Sequence, residues 1–255
     1  KLLLRTGFSW YEFSKSLGQP KYKTVYKYIY SLICYQFSDY IFVVTESEKK
    51  RIIKTFRLKS KKIIVMSNWV DTSRFYKENN TRTNEFLYIG RLEKGKGLLE
   101  TIDLLHRTEW KLNVFGEGTL KQKLIDHANL NNVNIEMHGI LPNNLLPEIY
   151  NKYKYFILNS NNEGMSKVLL EAMACGCIVF CSDIEANKNI VNNSENGFFI
   201  KNKENFENIL ERLKQNHQLE ERVSLKAIKH ISKNHSLDNF VEKEFSVYEK
   251  ITKAF

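Results

Sequence analysis

The feature that most constrains this chain is a repeat of short apolar runs and helical stretches that starts near residue 84. Residues 85–89 read as a strand ending at Gly90, and 97–106 place Leu98, Ile102 and Leu105 at helical spacing. A strand at 111–115 precedes a helix at 120–128, and an alternating run at 133–138 precedes a helix at 145–153. Residues 155–158 and 178–181 are almost continuously apolar, with a helical stretch at 168–174 between them. Strands of that kind are buried on both faces, and βα units of roughly 20–25 residues arrange them as a parallel sheet with helices on both sides. The fold class expected is α/β, with a complete Rossmann-like domain in this part of the chain.

Residues 1–77 show less of the pattern. Strand-like runs occur at Leu2-Leu3-Leu4, Ile41-Phe42-Val43-Val44 and Ile63-Ile64-Val65. Between the first two, residues 24–38 read as a helix whose polar stripe is narrow: Lys27, Ser31 and Ser38. A helix apolar nearly all round is normally buried, so core packing is expected ahead of a place on a membrane surface. The stretch from Lys77 to Asn84 has no apolar residue and reads as a linker. Beyond residue 200 the pattern is mostly helical, and Ser236 suits the N-cap of a last helix reaching about residue 253. The expected organisation is a partial N-terminal domain at 1–77, a Rossmann-like domain at 84–235, and a C-terminal helix at 236–255 crossing back to the first domain.

Charge is distributed unevenly. The net charge is +10, yet residues 1–77 hold 16 Lys and Arg against 5 Asp and Glu, and the remainder holds 23 against 24. Such a basic segment suits an anionic partner (nucleic acid, anionic lipid headgroups, a phosphorylated substrate) or is a solvated face. No recognisable reader motif accompanies it, so nucleic acid is not an expected partner. No run approaches the ~18 apolar residues that cross a bilayer, and residues 2–4 are too short a run for a signal peptide. The start at Lys1 raises the expectation of an upstream piece. Cys34, Cys175, Cys177 and Cys181 have no neighbouring His to complete a zinc set, and they read as small thiols in a reducing cytosol. No metal site is expected.

Two segments bear chemistry. Gly90-Arg91-Leu92-Glu93-Lys94-Gly95-Lys96-Gly97 is the first βα turn of the second domain. Its glycines let backbone approach a ligand, the following helix start offers free N–H groups to an anion, and Arg91 and Lys96 suit a diphosphate. It matches neither Gly-x-Gly-x-x-Gly nor a Walker A loop. A basic surface turn is the plainer alternative. Gly116-Glu117-Gly118 is a second tight turn. The other segment is Glu163-Gly164-Met165-Ser166-Lys167-Val168-Leu169-Leu170-Glu171, where a turn opens a helix with two carboxylates eight positions apart. Backbone N–H groups at Gly164, Met165 and Ser166 suit phosphate or sugar oxygens. Glu171 lies in apolar company and needs a partner, which a ribose diol would supply. Capping by Glu163 with a solvated Glu171 is the plainer alternative here.

These pieces occur in a set order: Asn68-Trp69-Val70-Asp71 with Phe75, then Gly90-Arg91-Leu92 with Lys96-Gly97, Phe115-Gly116-Glu117-Gly118, His138-Gly139, the Glu163…Glu171-Ala172-Met173-Ala174 segment, and Glu195-Asn196-Gly197. In that order the chain resembles, over roughly residues 40–250, the retaining glycosyltransferases of the GT-B fold in the glycosyltransferase group 1 family. The resemblance implies a GT-B-like pair of Rossmann-like domains and a catalytic set of Glu163, Arg91 and Lys96. Arg91 and Lys96 would hold the donor diphosphate, Glu171 the ribose hydroxyls, and Glu163 the transferred sugar. Gly164, Met165, Ser166 and Val168 would line sugar and phosphate, with Gly90 and Gly116 at the turns and the base near Gly139 and Ile140. It implies no cofactor and no metal, in keeping with the absence of an Asp-x-Asp motif, and a nucleotide-sugar as substrate, a UDP-sugar first.

The resemblance further implies a glycan or lipid-linked acceptor, bacterial surface polysaccharide or glycolipid (lipopolysaccharide included) as product, and a cytoplasmic location peripheral to an anionic inner membrane face. Many members have a His near the strand represented here by Leu2 to Gly7, where this chain has Arg5 and Thr6. Members also have a whole first domain, so a fragment, half of a split enzyme with a partner chain, and an inactive remnant all stay open. So do a GT-B-fold sugar-nucleotide epimerase and a nucleotide-sugar-binding subunit without activity of its own.

Overall fold

The protein is described here by a computed structural model covering residues 2–7, 11, 14, 15 and 18–253. Lys1 and the last two residues of the expected C-terminal segment, 254 and 255, lie outside the described residues. The chain divides into two compact units. One comprises residues 1–68, 162–166 and 240–255, and the other 69–161 and 167–239.

The first unit is built on three parallel strands in the order β1 (Leu3–Thr6), β2 (Tyr40–Val43) and β3 (Ile63–Val65), with Leu4 opposite Ile41 and Ile41 opposite Ile63. Helix α1 (Lys21–Phe37) connects β1 to β2, and α2 (Glu46–Phe56) connects β2 to β3. The sequence reading lacks α2. Its start is fixed by Thr45, whose hydroxyl accepts the Glu48 N–H at 3.1 Å, an N-cap that satisfies one of the helix's unpaired donors. Ile41, Val43, Ile52, Phe56 and Ile63 form the core, with Tyr28, Leu32 and Tyr35 of α1 packed into it. On the other sheet face, Phe42 and Met66 cluster with Ile251, Val247 and Phe240 of the C-terminal helix (Leu237–Lys253). Arg5 is committed there too: its guanidinium pairs with Glu244 at 3.3 Å and lies 5.1 Å from the Phe240 ring centre.

One expectation fails in this unit. Helix α1 is not buried all round: only Ser31 and Tyr35 are fully buried along it. Two of the three residues read as its polar stripe, Ser31 and Ser38, face inward, while Tyr22, Tyr26, Ile29, Tyr30, Ile33 and Phe37 face solvent. Ser38 can be buried because its hydroxyl donates to the Cys34 carbonyl at 2.5 Å.

The second unit is a six-stranded, wholly parallel sheet in the order β6-β5-β4-β7-β8-β9. Its elements follow as β4 (Thr83–Ile89), α3 (Leu98–Leu105), β5 (Leu112–Phe115), α4 (Lys121–Leu130), β6 (Ile135–Gly139), α5 (Leu146–Lys152), β7 (Tyr153–Leu158), α6 (Lys167–Ala174), β8 (Ile178–Ser182), α7 (Glu185–Lys188), β9 (Phe198–Ile200), α8 (Lys203–Gln215) and α9 (His217–Asn234). Strands β5 and β8 are buried at every position, and their two polar members are hydrogen-bonded, Asn113 to Glu85 and Ser182 to the Ser160 carbonyl. Strand β9, absent from the sequence reading, adds three buried residues beside β8. Phe86, Phe180, Phe198 and Phe206 meet edge-on or tilted at 5.4–5.6 Å to fill the space between sheet and helices.

The stretch read as a linker lies within this second unit. Glu78 N–H donates to the Asn151 side-chain oxygen at 2.9 Å, and the Arg82 guanidinium donates to the same oxygen and, at 2.7 Å, to the Cys175 carbonyl. Asn151 is fully buried and also donates to the Tyr76 carbonyl at 2.9 Å. The segment is docked by hydrogen bonds, which an apolar count does not register.

Candidate functional site

Because all six strands run the same way, the turns after β4, β5 and β6 and the loop after β7 lie along one edge of the sheet. The chain steps from β4 outward to β6, then returns to lay β7 on the other side of β4. Such a reversal opens a crevice at the strand carboxyl ends, where open α/β sheets bind ligands.

The turns at this edge are fastened together by backbone. Gly90 N–H donates to the Phe115 carbonyl at 3.0 Å, and Gly116 N–H donates to the Gly139 carbonyl at 2.7 Å. Gly116 has no alternative residue: a Cβ there would sit 1.9 Å from the Gly90 carbonyl oxygen. Gly97 is constrained further, with φ +67° and room for no Cβ, since one would lie 1.7 Å from the Asn159 carbonyl oxygen. Asn161 N–H donates to the Gly95 carbonyl at 2.9 Å, which closes the Gly90–Gly97 turn against the loop after β7. Glu93 braces it from outside, accepting from the Thr119 hydroxyl at 2.9 Å and its N–H at 3.2 Å; these bonds hold its carboxyl below the usual range.

This frame presents the basic residues. Arg91 is exposed; its carbonyl accepts from the Tyr88 hydroxyl at 3.1 Å, while its guanidinium makes no hydrogen bond or ion pair among the described residues. Lys96 is half-buried, immediately before the Gly97 cap of α3. A helix start has N–H groups without intrahelical partners, so the turn gathers positive charge and donors suited to an anion. Farther along the edge, Gly139 adopts φ +74°, and Ile140 is exposed. His138 stacks on Phe115 at 4.3 Å and its Nε2 lies 3.0 Å from Asn113 Oδ1. Asn113 is buried inside β5 and donates to Glu85 at 2.8 Å. The backbone at Gly139 is therefore held from beneath by a ring stack and a polar relay.

Glu171 lies on α6, half-buried, with Val168 one turn before it. The structure supplies a partner the sequence reading missed: the Tyr150 hydroxyl on α5 donates to Glu171 Oε2 at 3.0 Å. Tyr150 is fully buried against Phe75 and Phe156. Burial raises the Glu171 carboxyl above its ordinary value, opposed by the Tyr150 hydrogen bond and the charges of Lys167 and Arg74. Burial and the nearby carboxylate push the Tyr150 phenol well up, so it stays a donor. Lys167 in turn lies 4.5 Å from the Trp69 ring centre.

Residues 162–166, with Glu163, Gly164, Met165 and Ser166, group with the first unit. There the Asn68 side chain donates to the Met165 carbonyl at 2.7 Å, and Asn68 N–H points to its sulfur at 3.2 Å. Met165 and Ser166 are buried, while Glu163 and Gly164 are half-buried. The structure thus brings Gly90, Arg91, Lys96, Gly116, Gly139 and Ile140 to one sheet edge and pairs Glu171 with Tyr150. A cleft of about 240 Å³ in the second unit lies elsewhere, at the opposite edge beside Lys154, Ile178 and Glu220.

The parallel sheets define the class as α/β with Rossmann-like units, and solved structures of GT-B fold share it. Sucrose-phosphate synthase of Thermosynechococcus elongatus superposes with a TM-score of 0.82 at 15% identity, over 99% of this chain and 68% of that one. S. aureus TarM, in a complex that includes UDP, superposes at 0.76 with 21% identity, over 87% and 46%. By sequence, the N-acetylgalactosamine-N,N'-diacetylbacillosaminyl-diphospho-undecaprenol 4-alpha-N-acetylgalactosaminyltransferase of Campylobacter jejuni is 32% identical over 171 residues, 62% of this chain and 45% of that protein. Residues 70–230 match the family described as glycosyl transferases group 1, and the chain belongs to that family. It spans about half the length of the curated relatives it matches.

Proposed function

We propose that the chain transfers a hexosyl group from a nucleotide-sugar, a UDP-sugar first, to a glycan or lipid-linked acceptor with retention of configuration. The observation that supports this most is the basic, glycine-fastened turn from Gly90 to Gly97 at the reversal of the sheet. Arg91, Lys96 and the N–H groups at the start of α3 neutralise charge on the departing nucleoside diphosphate, the charge that grows in the transition state. The cations suffice for this without a bound metal. Glu171, held by Tyr150, takes the ribose hydroxyls, and the base lies over the Gly139–Ile140 backbone. Glu163 and the Gly164, Met165 and Ser166 backbone take the sugar, with Glu163 as a positioning group. The departing phosphate oxygen receives the acceptor proton. The relatives' names mention diphospho-undecaprenol and diphosphopolyprenol, which supports a lipid-linked acceptor.

The test is a thermal-shift panel of UDP-, GDP- and ADP-sugars followed by product analysis. One nucleotide class raises the melting temperature, and Lys96→Ala weakens its binding roughly tenfold or more, the effect of losing one charge-assisted contact. Unchanged binding by the Lys96→Ala protein rejects the donor site. A changed sugar nucleotide released without acceptor assigns an epimerase instead. Transfer seen only when a separate N-terminal portion is supplied assigns a binding subunit.

A further inference from the structure

The second unit has a cleft of about 240 Å³ at the edge of the sheet opposite the Gly90–Gly97 turn. It lies beside the first residues of β7 and β8, and the docked stretch at 77–82 and the start of α9 supply most of its lining. Three cations line it, Lys77, Arg82 and Lys154, against two carboxylates, Glu220 and the exposed Glu221. Lys154 is committed, since with the Tyr155 hydroxyl and His217 it holds the buried Glu220. Lys77 and Arg82 have no acidic partner within ion-pair distance among the described residues. Lys77 Nζ meets the Ser224 hydroxyl at 3.5 Å. Arg82 donates to two neutral oxygens, on the Asn151 side chain and the Cys175 carbonyl, and its Nε is buried without an acceptor. A positive wall with this much charge unanswered is short of an anion.

The wall is also held in place. A Cβ on Gly176 would lie 3.0 Å from Lys77 Cδ and 2.9 Å from Ser224 Oγ, so the lysine stem runs close over bare backbone. Ser224 is buried and its hydroxyl donates to the Gly176 carbonyl at 2.8 Å, which leaves its oxygen to accept from Lys77. The ammonium group is thereby presented at the cleft with its stem laid along the protein. Size and surroundings select the anion. Pockets that hold drug-sized ligands run to about 300–1,000 Å³, so this cleft takes a smaller one. A nucleic-acid backbone needs a continuous basic stripe, which Glu220 and Glu221 interrupt here. A single phosphate group fits both the room and the charge, with Ile178 and the His217 ring beside it for an attached carbon skeleton.

We propose that this cleft binds a small phosphate-bearing anion, with Lys77 on a phosphate oxygen and Arg82 supplying charge from the wall behind. The site is distinct from the Gly90–Gly97 turn and does not rest on the donor reading. The full chain, isotope-labelled for magnetic resonance, is titrated with inorganic phosphate and with ribose 5-phosphate at constant ionic strength, following the Gly176 and Ser224 amide resonances. Both resonances shift saturably; tighter binding of ribose 5-phosphate assigns an ester, and equal binding assigns free phosphate. Lys77→Gln weakens the binding about tenfold, the effect of losing one charge-assisted contact, and Lys77→Arg keeps most of it. Arg82 is left unchanged because its bonds to Asn151 and Cys175 hold the 77–82 stretch in place. Lys77 is exposed, and circular dichroism with urea unfolding checks that both variants are folded. Lys96→Ala leaves the shifts unchanged. Shifts that survive Lys77→Gln, that sodium chloride reproduces at equal ionic strength, or that are absent with both probes overturn the proposal. Shifts that Lys96→Ala abolishes place the phosphate at the Gly90–Gly97 turn and overturn it equally.

Discussion

At Glu171 the carboxylate is held by a single hydroxyl. Tyr150 occupies Oε2, so the carboxylate is held in one orientation and its remaining acceptor capacity is directed elsewhere. Burial raises this carboxyl, and a protonated carboxyl accepts fewer hydrogen bonds from a diol. Nucleotide affinity is therefore expected to fall on acidification at a higher pH than an ordinary glutamate would impose. Tyr150→Phe removes a bond that lowers the Glu171 value, so the midpoint moves further up. At neutral pH the variant binds UDP about five- to tenfold more weakly, the usual effect of one hydrogen bond to a charged group. Calorimetric titration against pH checks both, and an unmoved midpoint would remove Tyr150 from the site. Nothing in the sequence marks Tyr150, which lies 21 positions from Glu171 on a different helix in an ordinary Leu-Pro-Glu-Ile-Tyr run. Gly97 is the opposite case, legible because a glycine between a basic turn and a helix has few other uses. Gly97→Ala forces a Cβ onto the Asn159 carbonyl and is expected to cost about 3 kcal/mol or more in urea unfolding, together with donor binding.

Among elements, α9 is fixed to β7 by a buried carboxylate. Glu220 accepts from the Tyr155 hydroxyl and from Lys154 at 3.1 Å, with His217 also at 3.1 Å. Burial alone would raise Glu220, but the hydrogen bonds from Tyr155, His217 and Lys154 outweigh it and hold the carboxyl below its ordinary 4.5. A carboxyl depressed in the folded state contributes stability that is complete above its unfolded value and is lost as pH falls through the folded one. Unfolding stability is thus expected to decline from about pH 4.5 downward, less steeply in Glu220→Gln. At neutral pH that variant is about 1–2 kcal/mol less stable, read from urea unfolding. An equal acid slope in both proteins would place the loss elsewhere. Long strands buried on both faces were legible because their composition has one structural solution. Three-residue β9 is too short to establish a period, and the Lys77–Asn84 stretch is held by polar contacts to Asn151 and Cys175. Helix α1 misled for a different reason: tyrosine is amphipathic, and with it counted as apolar the periodicity could not say which side packs.

For the whole molecule, the +10 is divided unevenly along the chain. The segment 1–77 holds the excess and contains α1, whereas the remainder is nearly balanced and presents its useful cations at Arg91 and Lys96. The two compact units have separate sheets and separate cores, and within the second the basic turn and the cleft beside Gly176 lie at opposite edges, so two ligands should leave separate footprints. Amide hydrogen exchange on the full chain checks this. Saturating UDP is expected to slow exchange in residues 90–98, 116–118 and 139–140, and to leave 21–37 unchanged. Ribose 5-phosphate is expected to act elsewhere, slowing exchange in 174–178 and 217–224 and leaving 90–98 unchanged. If UDP slows exchange in 21–37 as strongly as in 90–98, the two units are coupled, and the independence of their cores is wrong. If ribose 5-phosphate slows exchange mainly in 90–98, it is meeting Arg91 and Lys96 as a generic anion, and the basic turn is less selective for a nucleoside diphosphate than its glycine-bound geometry requires.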